Sequence, residues 1–355
     1  MTTARILLAA AVGRRKVTAT VCWPAVVVAL GAVAQPSFAQ LNLSAPSAPE
    51  RPAAVTAIPG VIADGAKWEQ IWRDTKTADG IVGTPDGGVI FAQEQSDTIR
   101  KLDSKNRESV VLKDTHGAGA VSLDTQGRLY AVQRTCTDPG KHMPSCAEPT
   151  KVSILKPVHK VLADKFADGK TLGRVNDLIA DGKGGAYFTT GSGVYYVNAK
   201  GVISTVADTG FRPFPNGIML TANGKTLFVT NSTVVLAFDV EADGTTKNRR
   251  DFGAVDGDVG ADGMAIDSAG HLYVTASKGV HVLDKDGKHL GLIPTPRVPI
   301  TLAFSGPDKK TLYVPCMGAY GADGKPWNVP QGVRNTAMTI YRIPMLATGF
   351  RGRPK

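Results

Sequence analysis

Four short acid- and amide-bearing pairs stand out along this 355-residue chain: Asp79-Gly80, Asn176-Asp177, Asn216-Gly217 and Asp262-Gly263. Each sits just before the first apolar stretch of a different sequence repeat. If the fold brings equivalent positions of the repeats together, their carboxylate and amide oxygens form a cage suited to a hard divalent cation such as Ca²⁺, Mg²⁺ or Mn²⁺. Any one of these residues alone reads as an ordinary turn residue. The case for chemistry is the recurrence at one offset, and the shared context of Pro215-Asn216-Gly217 and Asp262-Gly263-Met264. Other chemistries lack their motifs, since the chain has no GxSxG, no GxxxxGK[ST] and no HExxH.

The repeats themselves supply the positioning elements. A Gly- and Asp-rich turn runs into a short alternating apolar strand in TPDGGVIFAQ from Thr84, DTQGRLYAVQ from Asp124 and DGKGGAYFTT from Asp181. The pattern returns in TANGKTLFVT from Thr221, DSAGHLYVTA from Asp267 and GPDKKTLYVP from Gly306. An apolar stretch leads most copies, as in AVSLD, DLIAD, GIMLT, MAIDS and LAFSG. Asp-Gly and Asn-Gly pairs accept the positive φ of hairpin turns. Strand, tight turn and strand, recurring every roughly 40 to 57 residues, is the signature of propeller blades. The six copies predict an all-β fold, a six-bladed β-propeller with a central axial channel, over residues 60–345. In such a ring the innermost strands run along the channel, so the four pairs converge at one end of the axis. The ring is expected to close by pairing a strand around Trp68–Arg73 with one near Thr339–Arg342, so that the terminal edges are not left open.

Composition narrows the remaining options. The formal charge of +10 includes Arg5, Arg14, Arg15 and Lys16 of an N-terminal leader, and the rest is spread without clusters. No basic stripe is interleaved with aromatics, which argues against nucleic acid as a partner. Residues 1–39 read as an export signal: a basic segment, an apolar run over Val21–Ala34, and small residues at Ser37-Phe38-Ala39. That run is too short and Pro-broken for stable membrane insertion, so the expected location is the periplasm or the exterior of a bacterium. Residues 40–59 are expected to form a flexible Pro/Ala/Ser linker, and 346–355 a frayed basic tail. Cys136 and Cys146 bracket a turn-rich loop and predict a disulfide in that oxidising compartment, whereas Cys316 reads as a buried thiol. His116, in DTHGAG, is either a loop histidine or a channel-mouth residue that contacts substrate.

Four of these segments, VNDLIADGKGGAYFTT, PNGIMLTANGKTLFVTNS, ADGMAIDSAGHLYVTA and TLAFSGPDKKTLYVP, resemble in order the blade motifs of the senescence-marker-protein/gluconolactonase/luciferin-regenerating family. The resemblance implies a six-bladed propeller with one divalent cation on its axis, held by a Glu, an Asn and an Asp. Ca²⁺ is the first expectation, with Mn²⁺, Mg²⁺ or Zn²⁺ as alternatives. Motif by motif it implies Asn216 and Asp262 as metal ligands, Asp262 as the catalytic base, and Arg174 and Asn176 as substrate-binding residues. The family's first ligand is a Glu in an EGP segment, where this chain has Ala78-Asp79-Gly80-Ile81; Asp79 is the metal ligand implied there, one methylene shorter, with Glu94 a second candidate. In blade six Thr301 stands where the family has a substrate-facing Asn. The activity implied is hydrolysis of a sugar lactone; an aryl-ester or phosphotriester hydrolase on the same site, and a non-catalytic ligand- or protein-binding propeller, are the alternatives.

Overall fold

The computed structural model describes residues 46–134, 149–206, 215–328 and 336–350. The expected export signal (1–39) and the Cys136–Cys146 disulfide lie outside these residues. The described residues form six four-stranded antiparallel sheets, five of them with strands in chain order from the inside out. The inner strands are Ile81–Gly83, Ala118–Leu123, Val175–Ala180, Pro215–Leu220, Met264–Ile266 and Ala303–Ser305. Each inner strand packs against the inner strand of the next sheet, and the sixth returns to the first, so the sheets are blades of a closed ring. The fold is the six-bladed β-propeller that the repeats predict.

Closure occurs in blade six. Its outermost strand, Glu69–Arg73, is donated from the N-terminal side and pairs antiparallel with Ala337–Pro344, with Trp72 opposite Ile340 and Arg73 opposite Thr339. Trp72 is 7% exposed and meets Phe91 of blade one edge-on, with ring centroids 5.0 Å apart. The aromatic pair therefore packs the last blade against the first.

A local device explains the recurrent turns. In the turns that begin at Asp124 and Asp267, the acid's Oδ1 accepts the backbone N–H groups of the residues two and four positions on, at 2.9 Å each. The residue at the third position must then take positive φ, and Gly127 (φ 74°) and Gly270 (φ 89°) do so without a side-chain penalty. Tyr130 and Tyr273, on the strands that follow, donate their hydroxyls to the other oxygen of the same acids. One acid thus fixes a turn and anchors a buried aromatic. Middle strands such as Leu129–Gln133 and Leu272–Ala276 are buried throughout, since neighbouring blades cover both of their faces, whereas the outer strand Glu108–Lys113 is largely exposed.

Two terminal expectations are corrected. The flexible linker over 40–59 is ordered and packed from Pro46 onward: Ser47 bonds the Trp327 carbonyl, Arg51 donates to the Thr295 carbonyl at 2.8 Å, and Val55 and Ile58 are buried. The basic tail does not fray at 346, because Met345 and Ala347 are buried and Gly349 N–H donates to the Lys309 carbonyl at 2.8 Å. In both stretches a few apolar side chains find cover, which composition averaged over ten or twenty residues does not register.

Candidate functional site

The axis ends in a cavity of about 560 Å³ to which every blade contributes. Asp79 comes from blade one, Arg134 from blade two, Arg174 and Asn176 from blade three, Asn216 from blade four, Asp262 from blade five and Thr301 from blade six. Six of the residues singled out in the sequence therefore meet in one place.

Backbone packing brings them together. Gly80, Gly217 and Gly263 follow Asp79, Asn216 and Asp262, and their φ angles are ordinary, so they are not there to make turns. A Cβ on Gly80 would lie 2.5 Å from Ala120 Cα, one on Gly217 2.1 Å from the Asp262 carbonyl oxygen, and one on Gly263 2.6 Å from Thr301 Oγ1. Each glycine lets its inner strand press against the backbone of the next blade, so the residue before it is set at the rim of the axis. The threonines at the ends of the middle strands add a second fastening. Thr189 Oγ1 donates to the Asn216 carbonyl at 2.7 Å, Thr230 to the Asp262 carbonyl at 3.0 Å and Thr275 to the Ile300 carbonyl at 3.0 Å. Each of these bonds crosses from one blade to the next. The sequence signal for these straps is the Thr that recurs at the strand end in YFTT, LFVT and LYVT.

Blade three differs, with Asp177 where blades one, four and five have Gly. Its Oδ2 accepts Ile218 N–H of blade four at 3.1 Å and its Oδ1 the N–H of Leu178 at 2.8 Å. Asp177 is an inter-blade strut, and Asn176 is the member of that pair whose side chain joins the polar network. Arg174 Nη1 donates to Asn176 Oδ1 at 2.9 Å, and Asn176 Nδ2 donates to Asn216 Oδ1.

Blade two carries the main surprise. His116 is half-buried with φ 53° in its own turn and does not line the cavity. Arg134, which follows the middle strand Leu129–Gln133, takes that place. It is 2% exposed, its Nη2 donates to Asp79 Oδ2 at 2.5 Å, and its Nη1 lies 3.9 Å from Glu94 Oε2. Glu94 is fully buried, opens the short 3-10 turn Glu94–Ser96 and does not line the cavity. It answers Arg134 rather than substituting for Asp79. The guanidinium lies across Gly119, where a Cβ would meet it at 1.8 Å. The sequence signal for Arg134 is a cation directly after a fully buried strand.

The donor chemistry fits a hard divalent cation: two carboxylates, Asp79 and Asp262, and the amide of Asn216 line one cavity. No group of three or more His, Cys, Asp or Glu among the described residues converges as metal ligands would, so a neutral amide has to complete any such set. The departure from a simple cage is that one oxygen of Asp79 is engaged by Arg134.

Blade geometry defines a six-bladed β-propeller with a cavity lined by polar side chains at the end of its axis. The chain belongs to the SMP-30/Gluconolactonase/LRE-like family, whose model matches residues 62–317. A pentonolactonase of Haloferax volcanii is 31% identical over 189 residues, which is 50% of this chain and 64% of that relative, so less than two thirds of its length is spanned. A gluconolactonase of Zymomonas mobilis is 24% identical over 279 residues, 69% of this chain and 78% of the relative. The solved structure of a gluconolactonase from Xanthomonas campestris is similar with a TM-score of 0.64 at 20% identity, over 85% of this chain and 98% of that one, a likeness of fold.

Proposed function

We propose that this chain hydrolyses sugar lactones at the axial cavity, with the help of one divalent cation. The carrying observation is that Asp79, Asn216 and Asp262 share one cavity with Arg174 and Asn176, in a family whose curated relatives include a pentonolactonase and a gluconolactonase. Asn216 and Asp262 would hold the cation, with Asp79 the third oxygen donor. When bound, such an ion polarises a carbonyl and acidifies a water molecule. Asp262 takes the proton of the attacking water and returns it to the ring oxygen as the lactone C–O bond breaks. Arg174, braced by Asn176, donates to the substrate oxygens and to the developing oxyanion. Thr301 is the polar contact from blade six.

Export to the periplasm or beyond belongs to the same proposal and is supported by the residue pattern of 1–39, as is the Cys136–Cys146 disulfide by its turn-rich loop. The deciding experiment is hydrolysis of a panel of pentono- and hexonolactones with and without chelator, on the parent chain and on Asp262→Asn. Turnover that is lost with chelator, restored by Ca²⁺ or Mn²⁺, and at least about 100-fold lower in the variant is expected. Absence of turnover on every lactone, or full activity in the variant, would overturn the reading.

A further inference from the structure

Arg134 has no role in the chemistry just described, yet the fold invests in it. A guanidinium that is 2% exposed is costly to bury. Here it lies across the side-chain-free face of Gly119, bonds Asp79 at 2.5 Å, and has the fully buried Glu94 on its other side at 3.9 Å. Glu94 balances the Arg134 charge, which leaves Asp79 shared between the guanidinium and the cavity. Asp79 is also the shorter of the two acidic side chains, and its reach is spent on Arg134. A divalent ion approaching Asp79 meets a permanent positive charge already bonded to that carboxylate.

We propose that Arg134 is a positioning residue that competes with the axial cation for Asp79, making Asp79 chiefly a counter-ion of the guanidinium and leaving Asn216 and Asp262 to carry cation affinity. The proposal rests on the metal-assisted reading above. It implies that the site binds its cation weakly and exchanges it readily.

The sign of one measurement tests it. The paired substitution Arg134→Met with Glu94→Gln removes one charge of each sign, so net charge is unchanged while Asp79 is released. Calorimetric titration with Ca²⁺ and with Mn²⁺ should show binding tighter by about tenfold or more, the scale of one unit charge acting on another across a partly buried contact. Gly119→Ala gives a second route to the same result without altering any charge, because its methyl displaces the guanidinium from its slot. Arg134→Lys keeps the charge and should stay near the parent affinity. Structural damage weakens a site, so tightening separates competition from mere disruption, and circular dichroism checks that each variant is folded. Parent binding combined with unchanged or weaker binding in both the paired variant and Gly119→Ala overturns the proposal and leaves the metal reading standing. No cation binding by the parent or by any variant overturns both.

Discussion

Gly217 offers the sharpest check on how the ring assembles its site. Its Cβ position lies 2.1 Å from the Asp262 carbonyl oxygen and 2.8 Å from the carbonyl carbon, where ordinary contact begins at 3.4 Å. The obstacle is backbone, so no side chain can swing away. Gly217→Ala must therefore part the inner strands of blades four and five by about 1 Å, the scale at which a core accommodates an added methyl only through backbone shifts. That movement stretches the Thr230–Asp262 bond, 3.0 Å in the native ring, beyond hydrogen-bonding range. Overpacking costs about 1–3 kcal/mol and the lost bond about 1 kcal/mol, so a destabilisation of about 2–4 kcal/mol is expected. Asn216 and Asp262 flank the clash and would be displaced with it; a shift of about 1 Å in a catalytic constellation costs about 100-fold in rate.

Gly127→Ala is the control. It sits at φ 74° in a surface turn with nothing within 4 Å of its Cβ position, so the substitution should cost only the left-handed backbone, about 1–2 kcal/mol, and leave kcat untouched. Urea unfolding of both variants, read beside lactone turnover, separates the two uses of glycine. Gly217→Ala within about 0.5 kcal/mol of the parent, with parent kcat, would refute the claim that space between inner strands is what fixes the site.

Three further outcomes follow from the structure. Trp72→Ala empties the junction of blades one and six and should cost about 3–5 kcal/mol, whereas Trp68→Ala, which removes a half-buried ring packed on the edge of the core and its indole bond to the Pro294 carbonyl at 2.7 Å, should cost less; equal losses in urea unfolding would place ring closure elsewhere. Burial lowers the pKa of His281, which outweighs the opposing pull of Asp258 at 3.0 Å, while His289 at 2.9 Å adds to the lowering. Its folded-state value therefore lies below the unfolded value of about 6.5, the unfolded chain binds the proton more readily, and stability should decline as pH falls below about 6.5; an identical decline in the melting curves of His281→Gln would assign that slope to other groups. Non-reduced peptide mapping of exported protein should show Cys136 cross-linked to Cys146, and two alkylatable thiols would remove that disulfide.

Much of this architecture was legible because the propeller repeats itself in sequence. Five turns that start on an acid or hydroxyl residue, and a sixth that starts at Gly306, share a positive φ three positions on; this is a local pattern, and local patterns survive in a single chain. The residues ahead of each inner strand inherit their meaning from that repeat, which is why Asp79, Asn176, Asn216, Asp262 and Thr301 could be set in one place before any coordinates. The reading of the glycines was incomplete. Asp-Gly and Asn-Gly suggest positive φ, yet Gly80, Gly217 and Gly263 have ordinary φ and are small because the neighbouring blade presses on them. Sequence patterns report on the residue's own backbone; they do not report what another blade brings alongside it.

The same reason explains blade two. The offset that carries Asp79, Asn176, Asn216, Asp262 and Thr301 in the other blades falls on Gly119 in blade two, three residues past His116, and the cavity takes Arg134 from the end of the middle strand instead. An arginine that closes a buried strand reads as a surface cap until its partners are known, and those partners, Asp79 and Glu94, come from blade one. Three features of this chain then belong together: an Asp where the resemblance implies a Glu, an Arg reaching it from the next blade, and a glycine beneath that Arg at Gly119. If the three are one device, the shorter acid is matched to its guanidinium, and Asp79→Glu alone should gain less cation affinity than Asp79→Glu combined with Arg134→Met and Glu94→Gln. Calorimetry decides between them, and equal gains in the two backgrounds would show that side-chain length alone limits Asp79.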